Sequence, residues 1–96
     1  MSKKRLAEEE MFRCQGCGCN TLHIQEYYMV LQSVWLRAAK LKSGMLCIGC
    51  LETRLGRELE RSDFIDAPVN QGIFPMSARL ASRIVRGAGP LSPRDW

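Results

Sequence analysis

Cys14-Gln15-Gly16-Cys17 and Cys47-Ile48-Gly49-Cys50 repeat one phrase, Cys-x-Gly-Cys, and the pairing of these two stretches decides the fold. A two-residue spacer lets both sulfurs of a pair turn toward one point, and the glycine ahead of each second cysteine eases the tight turn. Zn2+ takes four soft or borderline ligands in a tetrahedron, and deprotonated cysteine at about 2.3 Å suits it. Cys14, Cys17, Cys47 and Cys50 therefore read as the ligands of one structural zinc ion. Residues 18–46 separate the pairs. That is longer than the roughly 15–20 residues of the shortest such pattern and leaves room for a strand and a helix. The competing reading of a CxxC is a thioredoxin-like redox motif. It belongs in a βαβ unit, and no parallel-sheet pattern is present.

Beyond the second pair, Leu51, Leu55 and Leu59 recur every four residues, which predicts an amphipathic helix over 51–60 with Cys50 in its first turn. Its N-terminus would stabilise thiolates by up to about 1 kcal/mol per charge. Arg54 and Glu58 form an i, i+4 pair on its surface, and Gly56 costs about 1 kcal/mol against alanine in a helix interior. Between the pairs, residues 26–30 (Glu-Tyr-Tyr-Met-Val) are aromatic and β-branched and read as a short strand, with Tyr27 and Tyr28 on opposite faces. Leu31, Val34, Trp35 and Ala38 then fall on one helical face, with Trp35 as a core anchor, Arg37 and Lys40 off that face, and Ser43-Gly44 as the break.

Residues 63–72 are loop-like, and Phe64, Ile65 and Phe74 are expected to pack back on the core. Ser77 is the N-cap of a third helix over 78–86, with Gly87 after its last turn. The layout is that of a small α+β zinc-binding domain, a treble-clef-like zinc finger with two to three helices and a short strand or hairpin. A zinc ribbon would put both pairs on hairpin turns, and the helix after Cys50 argues against it. Residues 1–10 read as a flexible leader, 11–86 as a single zinc-binding domain and 87–96 as a flexible tail.

Composition agrees with a metal-dependent fold. The chain has 96 residues, 46% hydrophobic and 25% charged, enough for one domain and too ordinary in balance for wholesale disorder. Below roughly 70–80 residues a hydrophobic core alone supplies about 3–5 kcal/mol, whereas structural zinc adds an apparent 10–16 kcal/mol, so the metal is expected to be a condition of folding. No apolar stretch approaches the roughly 18 residues of a membrane span. Glu8-Glu9-Glu10 stands where a signal peptide would need an apolar segment. A soluble cytoplasmic protein with no membrane partner is expected, and five cysteines there are metal ligands or reactive thiols before they are disulfides.

Cys19 and His23 are left over, each close enough in sequence to replace a ligand. Four sulfurs already satisfy zinc, so Cys19 reads as a spare thiol and His23 as a surface or core histidine. A four-cysteine site is closed to water. The chain has a single histidine, no His-Asn-His nuclease pattern, no Ser-His-Asp set and no phosphate-cradling glycine loop. Neither catalysis nor a small-molecule substrate is expected.

The formal charge is +4; a loaded site adds −4 from four thiolates and +2 from Zn2+, which leaves +2. From residue 67 to 94 there are arginines and no acid. Arg79, Arg83 and Arg86 share one face of the third helix, a row able to pair phosphates of nucleic acid. The plainer alternative is a solvated face, or salt bridges to the glutamates of the second helix.

The residues Tyr28-Met29-Val30, Val34-Trp35, the run from Leu46-Cys47-Ile48-Gly49-Cys50 through Leu55-Gly56-Arg57, Asp63-Phe64 and Pro68-Val69-Asn70 together resemble a group of short phage and prophage zinc-type proteins. Members of that group often carry acids where Gln32 and Ser33 stand here. The resemblance implies a phage-encoded, metal-stabilised, non-catalytic protein working in a bacterial cytoplasm. The expected function is a zinc-binding module that binds nucleic acid through Arg79, Arg83 and Arg86. The alternative is a protein–protein interaction module that binds or inhibits a bacterial host protein.

Overall fold

The amphipathic patterns become three short helices among the described residues of a computed structural model, which cover 11–39 and 44–96. The expected leader, 1–10, and the expected end of the first helix at Lys40 to Ser43 lie outside them. Helix α1 is Gln32–Ala38, α2 is Ile48–Leu55 and α3 is Ala78–Ile84; single 3-10 turns at Arg61–Asp63 and Pro68–Asn70 lie between α2 and α3. Helix α1 packs on α2. Their inner faces carry Val34 and Trp35 from one side and Ile48 and Leu51 from the other, all buried. Leu46, Leu59, Phe64 and Leu80 complete a core with no measurable exposure at any of the four. Each such side chain contributes about 1.5–3 kcal/mol by leaving water.

Helix α2 is shorter than the leucine spacing predicts. Gly56 is not inside it but is its C-cap, at φ 77°, where a left-handed backbone favours glycine. Leu59 therefore reaches the core from the segment after the helix, and Glu58 is freed from the expected pairing with Arg54. Arg54 instead donates to the Ala38 carbonyl. Helix α3 begins as expected, the Ser77 hydroxyl accepting from Leu80 N at 3.0 Å.

The expected strand over 26–30 is not formed. Among the described residues the only β-type pairings are isolated bridges, such as Val30 with Phe64 and Cys14 with Met45. The side chains still alternate, Tyr28 buried and Tyr27 open. What replaces the strand partner is one side chain. Asn70 is 2% exposed; its Oδ1 accepts from Met29 N at 3.1 Å and its Nδ2 donates to Met29 O at 2.7 Å and Ile65 O at 2.8 Å. An amide side chain thus copies the donor–acceptor pair of a neighbouring strand residue.

Two further expectations change. Phe64 and Ile65 are buried, but Phe74 is open. The later part of the segment expected to be a flexible tail, residues 91–96, is bonded to the rest of the chain, with Leu91 packed on the core. Ser92 exchanges backbone hydrogen bonds with Phe64 and Asp66, the Asp95 carboxylate accepts from Gln32 N at 2.8 Å, and Trp96 Nε1 donates to Val30 O at 2.8 Å. Its carboxylate and indole occupy backbone groups that α1 and the 26–30 segment leave unpaired.

Asn70→Ala is expected to lower stability by about 1–3 kcal/mol, because it removes the acceptor of the part-buried Met29 N–H and the donor to Met29 O and Ile65 O. Denaturant unfolding of the metal-loaded protein measures this; a midpoint equal to the parent's would contradict the assignment.

Candidate metal centre

The two Cys-x-Gly-Cys phrases fold into the same local turn. Cys14 Sγ accepts from Cys17 N, and Cys47 Sγ from Cys50 N, each at 3.5 Å. The next turn bond also repeats: Gly18 N donates to Cys14 O at 2.9 Å and Leu51 N to Cys47 O at 3.0 Å. After the first pair the chain leaves through Gly18 at φ 81°; after the second it continues as α2, with Cys47 as N-cap. The two turns are sewn together by Gln15 N to Met45 O at 2.9 Å and by Cys47 N to Cys14 Sγ at 3.2 Å.

Gly16 and Gly49 are glycine for a reason other than positive φ. A Cβ on Gly16 would stand 2.7 Å from Cys50 Sγ, and one on Gly49 2.7 Å from Arg79 Nη1. Each lets a facing group approach the turn. Gly18, by contrast, does use the left-handed region.

The four sulfurs of Cys14, Cys17, Cys47 and Cys50 all lie within 4.8 Å of one another. Ligands at about 2.3 Å from one central ion sit about 3.8 Å apart at the corners of a tetrahedron. Cys17 Sγ and Cys47 Sγ are 3.8 Å apart, too far for a disulfide and right for a shared metal edge. The donor set therefore fits a single metal ion.

The thiols are unequal. Burial alone would raise Cys14, but the N–H groups of Cys17, Cys47 and Gly16 outweigh it and hold its pKa down at about 6. The backbone N–H and side chain of Cys19 lower Cys17. Cys50 is pushed up by burial and then by hydrogen bonding to the sulfurs of Cys47, Cys14 and Cys17. Cys19 stays outside the four-sulfur cluster, its thiol raised to about 12 by burial and then by Cys17. His23 is exposed and likewise outside the cluster.

Two residues to which the sequence assigned no role at the metal site hold the second turn. Tyr28 donates its hydroxyl to Leu46 O at 2.6 Å, and burial pushes its phenol well above the ordinary range. Glu26, two residues earlier and on the same face, accepts from Ile48 N at 2.9 Å. An acid inside an aromatic stretch is the signal that could have found it, since a buried carboxylate must have partners.

The arginine row is paired with carboxylates, although the Arg79 and Arg86 side chains stay 43% and 53% exposed. Arg79 forms a two-pronged pair with Glu26 at 2.8 and 2.9 Å, and Arg83 one with Glu52 at 2.8 and 3.2 Å. Arg86 pairs with Glu58. The shared helical face read from the sequence is present, and what it meets is carboxylate. Glu52 and Glu58 are the acids of the plainer alternative, although Glu58 follows the end of α2; Glu26 comes from before it.

Comparison with known proteins returns no match: no protein family, no curated protein and no solved structure corresponds to this chain. The site's chemistry must be read from its own geometry. Among the described residues no helix is long and apolar enough to cross a membrane.

Cys47→Ser and Cys50→Ser are each expected to leave the chain unfolded at 25 °C, since the apparent 10–16 kcal/mol of a structural zinc site matches or exceeds a domain's usual margin of about 5–15 kcal/mol. Cys19→Ser should keep the parent's cooperative melt. Circular dichroism with zinc present distinguishes them; a parent-like transition in either ligand variant would contradict the assignment.

Proposed function

We propose that this protein is a small non-catalytic module folded on one structural zinc ion, and that its partner is another protein. The observation that carries the zinc assignment is the four-sulfur cluster with its metal-sized edge. Four cysteines fill a tetrahedron and leave no position for water, which suits a structural rather than a catalytic ion. A turn carrying the first pair, followed by a helix whose N-terminus carries the second, is the order expected of a treble-clef finger.

The choice of partner rests on the arginine row. Arg79, Arg83 and Arg86 already hold carboxylates, so a phosphate backbone would have to compete with Glu26, Glu52 and Glu58 for them, most strongly at Arg79, whose partner Glu26 is buried. Apolar side chains, in contrast, stand open. Leu22, Tyr27 and Phe74 are each at least 40% exposed around a groove of about 430 Å³ that Phe12, Val69 and Pro75 help to line. Such a surface suits a protein partner better than nucleic acid. The resemblance to short phage proteins would make that partner a bacterial host protein.

Fluorescence anisotropy of the zinc-loaded protein on random duplex DNA across a salt series tests this choice. No binding is expected even at low salt. Three arginines released onto phosphates would instead give a slope of log K against log salt near −3, and that slope would return the function to nucleic-acid binding.

A further inference from the structure

The Glu26–Arg79 pair lies at the junction of three parts: the segment before Tyr28, the second cysteine turn and the start of α3. The Glu26 side chain is 3% exposed and takes four hydrogen bonds. Oε1 accepts from Ile48 N at 2.9 Å and Arg79 Nη2 at 2.8 Å; Oε2 accepts from Ser77 Oγ at 2.7 Å and Arg79 Nε at 2.9 Å. Ile48 opens α2 between the ligands Cys47 and Cys50, and Ser77 is the N-cap of α3. One carboxylate therefore ties the metal-bearing helix end to α3.

The third guanidinium nitrogen, Nη1, is not used on Glu26. It lies over Gly49, in the spot where any side chain at that position would collide with it. The charges explain why both members are needed. Four thiolates and Zn2+ leave a net dianion, and a bare carboxylate beside it would be repelled. Arg79 neutralises the carboxylate and brings positive charge to the cysteine turn.

We propose that Glu26 and Arg79 are positioning residues of the metal centre: Glu26 caps the helix end between Cys47 and Cys50, and Arg79 holds Glu26 there while setting its guanidinium against the Cys47–Cys50 turn. The inference rests on the zinc reading above. It makes α3 a part of the metal site rather than a separate binding helix. Outer partners of this kind typically change metal affinity by about 10–100-fold.

The test uses the full chain, with zinc affinity from competition against a chromophoric chelator and the sulfur-to-metal charge-transfer band of the Co2+-loaded protein. Asn70→Ala, which touches no ligand, serves as the comparison for general destabilisation. Arg79→Met and Glu26→Gln are each expected to lower zinc affinity about 10–100-fold. Arg79→Met should also shift the cobalt band, and Arg79→Lys should recover part of both effects. Asn70→Ala should leave the band where it is. Should Arg79→Met fail to fold, the smaller shift in Arg79→Lys decides. An unmoved band in the Arg79 variants, with affinity falling only as stability does in Asn70→Ala, would overturn the inference while leaving the zinc reading intact. A parent chain that takes up neither Zn2+ nor Co2+ would overturn the zinc reading itself.

Discussion

Four cysteine sulfurs within 4.8 Å of one another set the terms for the rest of this molecule. If all four ionise, the charges repel, and if they stay protonated, they waste a cluster of soft ligands at metal spacing. The uneven thiols show this tension: Cys14 is held low by three N–H donors, while Cys50 is driven up by burial and its neighbours. A divalent cation held there would remove the conflict and join turns that lie far apart in the sequence. The surrounding backbone is built to that end, with the same turn used twice and the two turns bonded to one another.

The remaining structure supports those turns more than it forms layers of its own. The described residues contain no extended strand, only isolated bridges. Much of the pairing that a sheet would provide is done by side chains: Asn70 on Met29 and Ile65, Tyr28 on Leu46, Glu26 on Ile48, Asp95 on Gln32. The helices of seven or eight residues are too short to be stable alone and depend on packing and caps. The lack of any buried side-chain polar atom without a partner among the described residues indicates that this side-chain scaffolding is complete.

The legible part of the fold was what depends on local spacing. The ligand set follows from two matched Cys-x-Gly-Cys phrases, and the three helices from periodic apolar residues with Ser77 as a cap. What could not be read depends on contacts between distant segments. Asn70 looks like a turn residue until Met29 is beside it. Gly56 looks like a helix defect because leucines at 51, 55 and 59 keep a helical period, although the last of them reaches the core from outside the helix. The arginine row was read correctly as one face, but nothing in residues 77–87 says that Glu26, Glu52 and Glu58 stand opposite. The packing of 91–96 was hidden for the same reason, since Pro and Gly before it suggest a loose end.

The arginines change meaning in this setting. A basic, acid-free segment invites a nucleic-acid reading when it is seen alone; in the folded chain Arg79, Arg83 and Arg86 each meet an acid from elsewhere, and an apolar groove with Leu22, Tyr27 and Phe74 stands open. The central claim is that the four thiolates hold one zinc ion as its only ligands. X-ray absorption spectroscopy of the purified zinc-loaded protein tests it most directly. The account predicts a shell of four sulfurs at about 2.3 Å and no lighter scatterer. A shell containing nitrogen or oxygen at about 2.0–2.1 Å would contradict it, by bringing His23 or water into the site.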